Sequence, residues 1–85
     1  MKPSYQEVSD KVLYVLRDLL DARPYDPRGT LTPASKLEDW GIDSLDQVEI
    51  QMALEDFYGI HFEDEELDPV TTVEELIRLT LSKFN

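Results

Sequence analysis

Asp39-Trp40-Gly41-Ile42-Asp43-Ser44-Leu45-Asp46-Gln47-Val48-Glu49 sets a serine between a turn and the start of a helical repeat. Gly41 permits positive φ or close backbone approach, Asp43 and Ser44 are both competent N-caps, and Leu45, Val48 and Met52 open a helical spacing. Ser44 is therefore expected at the head of a helix with its hydroxyl accessible. First-turn amides and the positive end of the helix dipole would face anything attached to that oxygen, which suits an anionic group.

Onward from Ser44 the repeat runs to about Tyr58 and carries two apolar stripes. Ile50, Leu54, Phe57 and Tyr58 share one side, expected in a core; Leu45, Val48 and Met52 share another, bordered by Glu49, Glu55 and Asp56. A helix in a small bundle buries one stripe easily, so the second is expected to stay available to a partner. Gly59 is placed to close the helix, and Ile60 and Phe62 to anchor the chain beyond it. Glu63 to Asp68 reads as one helical turn with an acidic face, stopped by Pro69. Thr72-Val73-Glu74-Glu75 has capping-box spacing and leads a last helix with Val73, Leu76, Ile77, Thr80, Leu81 and Phe84 inward.

Backward from the serine, Ser4-Tyr5-Gln6-Glu7 has the same capping spacing, followed by Tyr5, Val8, Val12, Val15, Leu16, Leu19 and Leu20 on one side of a helix. That helix is expected to end before Pro24. Between Arg23 and Asp39, Pro24, Pro27, Gly29 and Pro33 predict a long ordered loop with Leu31 and Leu37 as anchors; such loops inside compact domains are uncommon and often functional. The expected fold is all-α, a small four-helix bundle of three main helices and one short one, in a single domain over residues 1–85.

Composition narrows the function. The absence of cysteine excludes disulfides, thiolate metal sites and a cysteine nucleophile, so any thiol must come from a prosthetic group. There is no long apolar run and no apolar signal core near Met1, so no membrane span is expected and the location is read as cytoplasmic. The net charge of −11 is concentrated: Glu38 to Asp68 holds twelve acidic residues and no Lys or Arg, while the flanks are nearly neutral. Such a field repels nucleic acid and anionic membranes and steers toward basic protein surfaces. Ser44 lacks the Gly-x-Ser-x-Gly elbow of a hydrolase, and the sole histidine, His61, lies past a helix of about fifteen residues, roughly 20 Å away. The acidic run lacks the EF-hand spacing. Neither a catalytic set nor a metal site is expected.

Asp43-Ser44-Leu45 after Gly41, its continuation through Leu45-Asp46-Gln47-Val48-Glu49-Ile50-Gln51-Met52-Ala53-Leu54-Glu55, and Val70-Thr71-Thr72-Val73-Glu74-Glu75-Leu76 resemble the acyl and peptidyl carrier proteins, most of all the bacterial fatty-acid type. The bare tripeptide is unspecific; the match extended from Trp40 through the second half of the chain is not. The resemblance implies a 4'-phosphopantetheine arm on Ser44, installed from coenzyme A by a phosphopantetheinyl transferase, with acyl groups carried as thioesters on its thiol. Asp43 would help the transferase recognise the site. Leu45, Val48 and Met52 would supply apolar docking area, and Asp46, Glu49, Glu55 and Asp56 charge pairing with Lys and Arg of acyl-transferring or condensing enzymes. The protein would then be a monomer and no enzyme, serving fatty-acid, polyketide or related specialised biosynthesis. An aminoacyl or peptidyl carrier of nonribosomal synthesis shares the chemistry, and an unmodified acidic interaction module is the alternative of a different class. Gln51 departs from the resembling fatty-acid carriers, which usually have an apolar residue there. An amide turned inward without a partner costs ~1–3 kcal/mol, so short or polar cargo is expected.

Overall fold

Local signals decide where each helix begins. In the computed structural model, which describes residues 2–21 and 26–84, Ser4 Oγ accepts the Glu7 amide at 3.1 Å and starts α1 (Tyr5–Leu20). Asp43 accepts the Asp46 amide at 3.0 Å while Asp46 accepts the Asp43 amide at 3.2 Å, a reciprocal box at the head of α2 (Ser44–Tyr58). Glu66 reaches back to the Glu63 amide at 2.9 Å at the start of α3 (Asp64–Leu67), and Thr72 Oγ1 accepts the Glu75 amide at 3.2 Å ahead of α4 (Val73–Ser82). Each bond satisfies a first-turn donor that the helix itself leaves unpaired.

The helix ends follow from backbone conformation. Gly59 takes φ 66° and returns its amide to the Glu55 carbonyl at 2.8 Å, as its type allows. α1 closes earlier than a proline stop requires, on Asp21 at φ 50°, a left-handed conformation that Asp tolerates better than most residues. Arg23 and Pro24 lie outside the described residues.

α1 packs against α4 and α2. Val8, Val12 and Leu16 of α1, Ile50 and Leu54 of α2, and Val73, Leu76 and Ile77 of α4 are buried together with Phe62 from the α2–α3 connection. Burying such a side chain contributes ~1.5–3 kcal/mol relative to leaving it in water. Of the expected core stripes, Phe57 and Tyr5 are exposed, and Phe84 lies past the end of α4, half-buried against the Tyr58 ring. Phe57 is 60 % exposed, with the Lys11 ammonium of α1 3.9 Å from its ring centre. Tyr5 is 40 % exposed, with its hydroxyl donating to Glu74 of α4.

The second half of the long loop is tied to the start of α4. The Leu37 amide donates to the Thr71 carbonyl at 2.9 Å, Val73 to Ser35 at 3.1 Å and Glu74 to Pro33 at 2.8 Å, around an antiparallel bridge between Lys36 and Thr72. Leu31 and Leu37 are buried, and Trp40 and Ile42 join them. Leu37–Trp40 forms one 3-10 turn that no periodicity in the sequence announced, ending on Gly41 at φ 70°. Side-chain burial and these backbone bonds together fix the approach to Ser44. The described residues thus form an all-α bundle of four helices with a long loop between α1 and α2.

Candidate attachment site and docking face

Ser44 is the first residue of α2 and is exposed. Asp43, not Ser44, takes the N-cap, so among the described residues no hydrogen bond engages the Ser44 hydroxyl. The turn before it is held firmly. Gly41 and Ile42 return their amides to Glu38 and Leu37 at 3.1 and 3.2 Å. Arg28 Nη1 donates to the Trp40 carbonyl at 3.1 Å, with the guanidinium 4.7 Å above the indole. Asp26 orients that guanidinium through two bonds of 2.9 and 2.7 Å, and these, followed by the Arg28 backbone amide, pull the Asp26 carboxyl down to about 2. Arg28 was missed in the sequence; its only signal was a Pro and Gly turn flanked by opposite charges.

The capping box revises one expectation. The positive end of α2 already faces the carboxylates of Asp43 and Asp46, so a further anion on Ser44 meets two like charges there rather than an empty dipole.

Leu45, Val48 and Met52 are 75 %, 50 % and 57 % exposed along one side of α2. The acidic residues grouped with them differ in situation. Glu49 and Asp56 are exposed and take part in no ion pair among the described residues. Asp46 is half-buried in the capping box. Glu55 is turned inward: its Oε2 accepts the Phe62 amide at 2.8 Å and Gln51 Nε2 at 3.3 Å, and lies 3.3 Å from His61 Nδ1. The Phe62 amide foremost, then Gln51 and His61, holds its carboxyl below the usual carboxylate range against the opposing effect of burial.

His61 bridges outward to Glu63 at 3.3 Å and stands beyond the C-terminal end of α2, whereas Ser44 opens that helix. The fold does not bring the two together. Gln51 is half-buried and does turn inward, but its amide is not unpartnered: besides Glu55 it donates to the Phe62 carbonyl at 3.3 Å. The expectation of an unpaired inward amide is corrected accordingly.

Residues 10–80 match the family model described as a phosphopantetheine attachment site. The chain is 38 % identical over 71 residues to an acyl carrier protein of Thermosynechococcus vestitus, covering 84 % of each. The chain belongs to the acyl carrier protein family. It is also 37 % identical over 68 residues to acyl carrier protein 2, mitochondrial, of Arabidopsis thaliana, covering 80 % of this chain and 52 % of that one. In fold it is similar to an acyl carrier protein of Thermotoga maritima, with a TM-score of 0.77 at 21 % identity, covering 94 % of this chain and 89 % of the other. As a member of this family the protein is a carrier rather than an enzyme, and its prosthetic group is a covalent 4'-phosphopantetheine. That group supplies the thiol on which acyl cargo rides as a thioester. Partners of such a carrier are a phosphopantetheinyl transferase and biosynthetic enzymes. Among the described residues no helix is long and apolar enough to cross a membrane.

Proposed function

We propose that Ser44 carries the phosphopantetheine of a single carrier domain spanning residues 1–85. The observation that carries this reading is the division of labour at the head of α2, where Asp43 does the capping and leaves the Ser44 hydroxyl exposed and, among the described residues, unbonded. In the attachment step the serine oxygen forms a new bond to phosphorus as a P–O bond of the coenzyme A pyrophosphate breaks. The hydroxyl proton is lost, and the adenosine bisphosphate half departs. Asp43 helps the transferase recognise the site. Arg28, Trp40 and Gly41 hold the turn that presents it.

Leu45, Val48 and Met52 form the apolar docking area, with Asp43, Asp46, Glu49 and Asp56 supplying negative potential toward Lys and Arg of the transferase and of acyl-transferring or condensing enzymes. Glu55 contributes to that face mainly by holding Phe62, since its carboxylate is committed within the molecule. The carrier acts as a monomer in fatty-acid, polyketide or related specialised biosynthesis in the cytoplasm. Two curated relatives named as acyl carriers favour acyl over aminoacyl cargo.

The test is intact mass after incubation with coenzyme A and a phosphopantetheinyl transferase, followed by peptide mapping. One added phosphopantetheinyl group on Ser44, absent in Ser44→Ala, is expected. A group mapped to Ser4, Ser9, Ser35 or Ser82 overturns the assignment.

A further inference from the structure

An open groove of about 210 Å³ lies beside the head of α2, lined by Leu37, Glu38, Ile42, Gln47, Val70 and Thr71. Gln47 is one helical turn from Ser44, so the groove is within reach of cargo tethered there. Leu37, Gln47 and Val70 also border a second space deeper between α2 and α4, whose further walls are Ile50, Leu67 and Leu76. That inner space holds only about 10 Å³, no more than a single water needs. Its remaining wall is Gln51.

Gln51 is tied down where it stands. Its amide donates to the Phe62 carbonyl and to Glu55, while Glu55 accepts the Phe62 amide, so both backbone polar groups of Phe62 are held by side chains one turn apart on α2. The Phe62 ring is 1 % exposed in the core and gives that connection little freedom to swing. An apolar chain entering the inner space from the outer groove must displace the amide from its acceptors, and it offers no hydrogen bond in their place.

We infer that Gln51, strapped to Phe62 and Glu55, is a specificity-determining residue that confines cargo to the outer groove and makes this a carrier of short acyl groups. This rests on attachment at Ser44. The outer groove accepts a few carbons next to Ile42 and Val70; a longer saturated chain remains in solvent instead of entering beside Leu67 and Leu76.

The test loads the full chain with butyryl and decanoyl pantetheine and verifies each form by intact mass and mapping to Ser44, which checks the attachment separately. Methyl NMR shifts and melting temperature are then compared. Both cargoes are expected to shift Ile42 and Val70 and neither to shift Leu67 or Leu76, with the two forms melting within about 2 °C of each other. In Gln51→Leu the decanoyl form alone is expected to shift Leu67 and Leu76 and to melt at least about 5 °C above the butyryl form, as burial of added methylenes requires. An unmutated decanoyl form that shifts Leu67 and Leu76 and melts at least about 5 °C above the butyryl form overturns the inference, and this arm needs no variant to fold. So does a Gln51→Leu protein that folds but treats the two cargoes alike.

Discussion

Glu55→Ala removes the acceptor of the Phe62 amide and one acceptor of Gln51 while leaving α2 its helix-forming sequence. The Glu55 side chain is only 19 % exposed, so its bonds are not strongly screened. A hydrogen bond to a charged group contributes ~1.5–3 kcal/mol, and alanine returns a few tenths through its better helix propensity, leaving a loss of ~1.5–2.5 kcal/mol. For a domain of this size each kcal/mol moves the melting temperature by ~4–8 °C, so a fall of about 10 °C is expected at pH 7. Glu55→Gln keeps a neutral carbonyl acceptor and should lose about half as much.

The pH dependence separates charge from shape. The folded-state pKa of Glu55 is lowered from its ordinary 4.5, chiefly by the Phe62 amide. Its electrostatic contribution is therefore fully present above the ordinary value and is lost as the pH falls through the lowered one. Thermal unfolding followed by circular dichroism at several values between pH 7 and pH 3 should show the Glu55→Ala deficit shrinking toward that of Glu55→Gln. A Glu55→Ala protein that melts within about 2 °C of the unmutated one refutes the strap. A deficit that persists undiminished at pH 3 refutes its charged character.

Asp43→Ala should destabilise by ~1 kcal/mol through loss of the cap, whereas Ser44→Ala should melt within about 2 °C of the unmutated protein; equal losses in chemical denaturation would mean that the cap has been misassigned. Glu49→Lys and Asp56→Lys should each slow phosphopantetheinyl transfer at low salt by roughly tenfold while moving the melting temperature by less than about 3 °C. Transfer rates indifferent to both substitutions and to ionic strength would leave these acids a solubilising role only. Arg28→Ala should shift the emission of Trp40, the chain's one tryptophan, toward longer wavelength by opening the indole face to water, with Arg28→Lys between the two; unchanged emission would show that the guanidinium does not cover the ring in solution.

Helix positions were legible because each start carries its own chemical mark: Ser4, Asp43 and Thr72 all cap as their types require. The place of Ser44 at the head of α2 was also legible, but its role as a possible cap was not separable from that of Asp43, since either oxygen can reach a first-turn amide. What the sequence did not disclose depends on contacts between distant segments. Phe57 has the periodicity of a core residue, yet it lies at the surface beside Lys11 of α1. The segment ahead of α2 has few apolar residues, yet bonds from Leu37 to Thr71 and from Val73 to Ser35 tie it to the start of α4. Gln51 was located correctly at the edge of the core, and Glu55 lies one turn on along the same helix, but the Phe62 carbonyl becomes a neighbour only when the chain turns at Gly59.

The same distinction divides the acidic run. Charge alone makes the twelve carboxylates from Glu38 to Asp68 equivalent, a single field facing basic partners. The fold separates them: Asp43 and Asp46 complete a helix start, Glu55 holds Phe62, and Glu66 caps α3 while pairing with Lys83 from beyond α4. Glu49 and Asp56 have no such duties and border the exposed Leu45, Val48 and Met52 stripe. Replacing Glu55 changes stability first and function through it, so its transfer defect should diminish as temperature is lowered well below the melting point. Replacing Glu49 or Asp56 changes encounter with a basic surface, so that defect should persist at every temperature and diminish instead as salt rises. Measuring transfer across both temperature and ionic strength therefore assigns each acid to one class. A Glu55→Ala defect relieved by salt but not by cooling would move Glu55 from the molecule's own framework to its docking face.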